Sequence, residues 1–488
     1  MLFAGKLSRR SFFKRTGMAA GSMLLGNLFS KLAILEAWAQ DGYPPTFRQV
    51  FKVDQITDPL WKQKLRWYNV SGLAGDPAQV LNAKKFEEYF GCKTEGVPVA
   101  HEKMADILLT DIRAGTSEAD VWQFTFPTLF SLYIQNHGLE EISDFATTQD
   151  AWVPSMKEAL TFPQASFEGF GGGPSDFPYR KGLYGIPVRT LFWGGCFYNK
   201  IVFKKAGLDP EKDLETVPEF LDALRKIKRD TKVKYPLVFP YSAVTEGVQI
   251  PISWFVRFGG REFDEKGNPQ FDSPEYLEML KFMNTLVKEK LVSKGILTIT
   301  EGEATASFYR GEAAVMFNSQ ENILFTQLAE VTGKGFEKEF EGKVAWDVAR
   351  TTHMPTLEGI GYRDWKKTFS GCGVGECTGV PIMSKRKRAA AIFADFLSYP
   401  DCQAAEFLIE GNLPIRADIF DLPYVREGAP YPEHMKEALE NMYLVSYPNM
   451  FEILQARYEE ITEMINGVRT PEETQERIQS RVKSILSR

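Results

Sequence analysis

The sequence predicts an α/β protein organised as two lobes, and three observations lead there. Strand-type and helix-type segments alternate in short units from residue 64 onward, the pattern of βα repeats on a mainly parallel sheet. The chain has 488 residues, more than one average hydrophobic core holds. Its residues are 44% hydrophobic and 25% charged, the proportions of a chain able to bury such cores.

The first 39 residues read as an address. Lys6 and Arg9-Arg10 precede a moderately apolar run from Gly17 to Ala37, which ends in the small-x-small pattern Ala37-Trp38-Ala39. Ser8-Arg9-Arg10-Ser11-Phe12-Phe13-Lys14 resembles a twin-arginine export signal, with Phe13 where Leu is commoner. Asn27 and Lys31 interrupt the apolar run and weaken it as a membrane anchor, since a charge at the bilayer centre is costly. Cleavage after Ala39, passage through the twin-arginine translocase and a periplasmic or extracytoplasmic location are expected. Beyond residue 39 no stretch of about 18 apolar residues could span a bilayer.

After a lead-in with Pro44-Pro45, Lys64 to Val70 reads as a strand. Asp76-Pro77 opens a helix with Val80, Ala83, Phe86 and Phe90 on its inner face and Gly91 as its stop. Met104, Ile107, Leu108 and Ile112 mark a second helix ended by Gly115, and Ala119 to Phe124 is the next strand. Residues 169–178 are Gly-rich and read as a surface loop, because no Gly-Lys-Ser/Thr follows to cradle phosphate. Thr216-x-x-Glu219 is a capping box for a helix bearing Phe220, Leu224 and Ile227. Phe263 to Asn268 imitates a calcium loop, but Lys266 stands where an oxygen ligand is needed, so a hairpin turn is expected. Ser273-Pro274 opens another helix. The helix over 385–398 begins with basic residues, which are expected to be solvated. The run 451–487 alternates charge densely and is expected on the surface.

Several functions lack their chemistry. A net charge of −6 argues against a nucleic-acid scaffold, since neutralising phosphates needs a basic face. The 4 histidines are scattered (His101, His137, His353, His434), so no metal site is expected, and no cofactor either. Cys92, Cys196, Cys372, Cys377 and Cys402 do not form a disulfide framework; the pair Cys372 and Cys377 fits either a local disulfide or two buried thiols. A secreted carbohydrate-active enzyme would need a carboxylate pair across a cleft, and no local motif announces one. A redox enzyme on the twin-arginine route would need a cluster, haem or dinucleotide motif, and none occurs. These enzymes remain the alternative reading.

Four segments carry a resemblance. Gly182-Leu183-Tyr184-Gly185-Ile186-Pro187 is followed by Phe197-Tyr198-Asn199-Lys200, Phe203 and Ala206-Gly207-Leu208. Then come Thr216 to Lys228, with Pro218 where Trp is usual, Phe308 to Met316, and Asn412-Leu413-Pro414-Ile415-Arg416. In this order they resemble the family-1 extracellular solute-binding proteins, which include the sugar-binding proteins of ABC importers, over nearly all of 64–488. The segment from Ser370 to Pro381 is longer than the compact Gly-rich strand usual there. The resemblance implies a two-lobe periplasmic-binding-protein fold (type II, a Venus flytrap) with crossing hinge strands. It places 41–190 plus 375–425 in one lobe and 191–374 plus 426–488 in the other. It implies a monomer that captures a small solute, most simply a carbohydrate, and delivers it to the permease subunits of an ABC transporter.

Ligands of α/β sheets bind at the carboxyl ends of strands. Candidate ligand residues are therefore Asn69 and Ser71 after the first strand, and Trp122 and Thr125 at the end of the next sheet strand. In the second lobe they are Tyr241 and Trp254 after the strand Leu237-Val238-Phe239, and Asn318 and Gln320 after Ala313 to Phe317. Arg189 lies in the first crossing, and Tyr447 where the family presents a C-terminal aromatic. Trp122 would be a stacking platform opposed by Tyr241 or Trp254. Each aromatic fits core packing as well as ligand contact. Arg189 fits an acidic or phosphorylated sugar, or equally a hinge carboxylate such as Glu376.

Overall fold

A computed structural model describes residues 61, 63–70, 77–99, 101–126, 138–154, 183–242, 247–264, 266–293, 295–319, 349–428, 432–445 and 449–487. The expected export signal and the Gly-rich segment 169–178 lie outside the described residues.

The chain begins in a first core. β1 (Leu65–Val70), α1 (Pro77–Phe90), β2 (Thr94–Val99), α2 (His101–Ala114) and β3 (Val121–Phe126) follow one another, and β1 pairs in parallel with both β2 and β3. α1 starts on Pro77, whose fixed φ suits a first helical position, and ends at Gly91, whose φ of 68° favours glycine. Phe86 and Phe90 turn inward onto Trp61 and Phe396. Val80, expected on that face, is 39% exposed because the inner stripe centres on Ala83, Phe86 and Phe90 and leaves it at the margin.

β4 (Ile186–Phe192) leaves this core and β5 (Gly195–Asn199) enters a second. There follow α3 (Lys200–Ala206), α4 (Val217–Asp230), β6 (Tyr235–Val238), α5 (Gln249–Arg257), α6 (Pro274–Lys288), α7 (Glu301–Tyr309), β7 (Ala313–Asn318) and β8 (Ala349–Thr352). The second sheet has the order β6-β7-β5-β8. β6 and β7 are parallel, and β5 is antiparallel to β7 and β8. The expected capping box opens α4: the amide and hydroxyl of Thr216 both donate to Glu219. Phe263 to Pro269 is the expected hairpin turn, with the Asp264 carboxylate accepting from the amides of Lys266 and Asn268.

β9 (Cys372–Gly379) returns to the first core, which α8 (Lys387–Leu397), α9 (Pro400–Ala405), α10 (Pro432–Glu440) and β10 (Tyr443–Leu444) complete. The first sheet runs β10-β9-β3-β1-β2, with β4 on the other edge of β9. α11 (Met450–Ile465) and α12 (Pro471–Leu486) then pack on the second core. The third passage thus falls between Leu444 and Val445, later than the expected return at 426, because Met435, Ala438 and Leu439 of α10 bury in the first core and β10 pairs with β9.

Two further expectations are corrected by packing. At the basic start of α8, Lys385 and Arg388 are exposed as expected, but Arg386 is only 6% exposed, and its guanidinium meets the Gln63 carbonyl and Asp120 instead of solvent. The run 451–487 is two helices, broken around Gly467 and Pro471, and both bury residues such as Leu454, Arg457, Ile478 and Val482. Among the described residues no helix is long and apolar enough to cross a membrane.

Candidate ligand-binding site at the crossings

Strand direction aims both sheets at the same place. β3 runs antiparallel to β9, so its carboxyl end, Phe126, lies beside Gly375, toward the part of β9 that joins the second core. In the second sheet Asn318, at the carboxyl end of β7, lies beside Gly195, which follows the first crossing directly. The carboxyl ends of parallel strands therefore converge on the crossings from both sides, where α/β sheets take ligands. Trp193 donates its amide to Cys372, and Thr190 donates its amide to Leu413, which ties the crossing strands together.

The crossings enclose a buried polar cluster. Glu376 of β9 accepts from Arg189 Nε of β4 at 2.6 Å and from Gln123 Nε2 of β3 at 2.9 Å. Arg189 Nη1 lies 3.9 Å from Glu406, which accepts from Asn412 Nδ2 at 2.9 Å. All five residues are buried. Paired charges of this kind are stable only as a set, since losing one partner strands the other in a low dielectric. Arg189 is thus occupied as a hinge anchor, and its presence gives no reason to favour an acidic sugar.

The sequence candidates divide into three groups. Trp122, Tyr241 and Trp254 are fully buried and show no open ring face in this conformation. Trp122 donates Nε1 to Ser117 Oγ at 3.1 Å within the first core, so the expected stacking platform is filled by the protein itself. Tyr241 stacks on Tyr458 with centroids 5.3 Å apart. Trp254 lies on α5, the helix that follows β6, edge-on to Phe239, Phe282 and Phe317. Asn318 is buried too, donating to Thr305 Oγ1 at 2.8 Å and accepting from the Ser319 amide. Asn69 and Thr125 sit at the carboxyl ends of β1 and β3. Ser71, Gln320 and Tyr447 lie outside the described residues.

The sequence suggests Glu376 as a partner for Arg189 and places Asn412 in one of the four motifs, but gives no sign of Gln123 or Glu406. No local signal marks them: Gln123 and Glu376 are 253 residues apart and meet only through strand pairing. Cys372 and Cys377 settle as separate thiols, one in each core. Cys372 Sγ lies 3.1 Å from the Gln249 carbonyl.

Comparison with known proteins agrees with this layout. Residues 71–398 match the family model of the bacterial extracellular solute-binding proteins. The chain is 24% identical over 436 residues to a Sinorhizobium fredii protein named as the probable amino-acid ABC transporter periplasmic-binding protein y4oP, covering 87% of this chain and 90% of that one. It is 23% identical over 318 residues to the sn-glycerol-3-phosphate-binding periplasmic protein UgpB of Salmonella paratyphi A, covering 60% and 65% of the two chains. Among solved structures, maltose-bound MalE3 of T. maritima superposes with a TM-score of 0.67 at 19% identity, covering 86% of this chain and 99% of that one. A family match over that span, on two α/β cores joined by crossing strands, means that the chain belongs to the bacterial extracellular solute-binding proteins.

Proposed function

We propose that this protein is the extracytoplasmic substrate-binding component of an ABC importer, which captures a small carbohydrate or sugar derivative between its lobes and hands it to the membrane permease. The observation that carries this reading is the convergence of strand carboxyl ends from both sheets on the crossings. A solute touching both lobes has extra affinity for the closed arrangement and shifts the population toward it, a shape a permease can distinguish. Family membership supports the binding role over an enzyme. Relatives whose names give maltose, α-D-tagatose and D-mannitol as ligands support a carbohydrate. The amino-acid and glycerol-phosphate names of other relatives define the competing ligand classes.

In this reading Asn69, Ser71, Thr125, Gln320 and Tyr447 line the cleft. Trp122, Tyr241, Trp254 and Asn318 support it from behind, and Arg189 anchors the hinge. The protein acts as a monomer, after export through the twin-arginine translocase and cleavage after Ala39. Replacing Arg9 and Arg10 by Lys is expected to hold precursor in the cytoplasm, and unchanged export would overturn that assignment.

The function is tested by releasing ligand from purified protein with heat and identifying it by mass spectrometry, then titrating it back calorimetrically. A sugar or sugar derivative bound at one site with micromolar affinity or better, about −8 kcal/mol, is expected. An amino acid would replace the substrate class. Turnover of an added glycoside would replace the function.

A further inference from the structure

The fold brings together side chains that lie far apart in the sequence. His353 directly follows β8 of the second sheet, whereas His434 and Glu437 are one turn apart on α10, whose apolar face belongs to the first core. The two imidazole centroids are 4.5 Å apart, and His353 Nε2 lies 3.0 Å from Glu437 Oε2. One ligating atom from each of the three residues falls within 4.8 Å of the others.

We propose that His353, His434 and Glu437 form a site for a divalent transition-metal cation of the zinc class, bridging the two cores. Two imidazoles and one carboxylate are a donor set zinc accepts, with water completing four-coordination. Tetrahedral ligand bonds of about 2.0–2.2 Å place donor atoms about 3.4 Å apart, so atoms now within 4.8 Å of one another draw together on binding. The second oxygen of Glu437 is already held: Trp365 Nε1 donates to Oε1 at 3.3 Å, and Arg363 Nε lies 3.1 Å from it. That leaves Oε2 toward the histidines, the arrangement in which outer partners orient a ligating carboxylate.

The surroundings limit affinity. Arg363 offsets the charge of Glu437, and the buried guanidinium of Arg257 lies 5.0 Å from the Trp365 ring centre. A site weaker than the closed zinc sites of small metallodomains follows. The scatter of four histidines along the sequence argued against any such site, but two of them become neighbours because α10 packs between the cores.

Untagged, chelator-stripped protein titrated with ZnCl2 by calorimetry, and with CoCl2 by visible absorption, tests the proposal. One saturable ion per chain with a four-coordinate cobalt spectrum is expected. His434→Gln and Glu437→Gln should each lose more than the about 10–100-fold in affinity that removal of an outer partner brings, and Trp365→Phe should lose that 10–100-fold. Circular dichroism of the stripped variants checks folding, and Trp365→Phe reads the same site if a ligand variant fails to fold. Absence of saturable binding to the wild type, or equal affinity in folded His434→Gln, would overturn it.

Discussion

Trp122 lies on a strand whose side chains can turn toward a cleft or into a core, and the hydroxyl of Ser117 settles the direction by accepting the indole N–H. Trp122→Ala is therefore expected to cost about 3–5 kcal/mol of stability while ligand affinity stays close to wild type. Thermal unfolding and calorimetric titration of one sample separate these effects, and a large affinity loss with little change in melting would return Trp122 to the cleft. Asp395 on α8 gives a second residue-scale prediction. Its carboxylate accepts from the amide and hydroxyl of Thr147 at 3.0 and 2.5 Å, but burial dominates and raises its pKa from 3.8 to about 7. The folded chain then holds this proton where the unfolded chain has released it. Asp395 accordingly contributes falling stability as pH rises from about 4 to about 7, and none of that cost below this window. Denaturant unfolding across this range should show a flatter pH dependence in Asp395→Asn; an unchanged slope would place the titration elsewhere.

At the level of elements, the C-terminal helices show how charge patterning misleads. Their dense charges suggest a solvated face, yet Arg457 of α11 and Glu262 are both fully buried and joined by a salt bridge. The guanidinium also donates to Tyr276 Oη at 3.2 Å and stacks on Phe271. The pair fastens α11 to the loop after α5, which connects the end of the chain to the middle of the second core. Glu262→Ala, which strands a buried charge, should destabilise by about 3–5 kcal/mol, whereas Glu262→Leu with Arg457→Met should cost clearly less. Additive losses in that double-mutant cycle would mean that the two charges do not act as a unit.

Across the whole molecule, the hinge depends on two glycines. A Cβ at Gly371 would collide with the Cα of Gly194, so the first and second crossings can touch only where neither residue has a side chain. Gly371→Ala is expected to force these backbones apart and cost about 1–3 kcal/mol, the range for overpacking. It should also change ligand affinity without touching the ligand, because the crossings set the balance of lobe arrangements. Equal melting temperature and equal affinity in Gly371→Ala would show that the crossings tolerate separation.

Local physics was legible in the order of residues. Pro77 and Gly91 bracket α1, Thr216 and Glu219 open α4, and Asp264 closes its hairpin turn, because caps and turns need only partners a few residues away. The alternation of strands and helices likewise sufficed for an α/β fold, and the four motifs for a family. Burial and pairing across hundreds of residues were decided only by the tertiary structure. Whether Trp122 faces a sugar or a core, which carboxylates hold Arg189, and that His353 meets His434 all depend on strands crossing between two cores, and a side chain's own sequence neighbours carry no record of that contact.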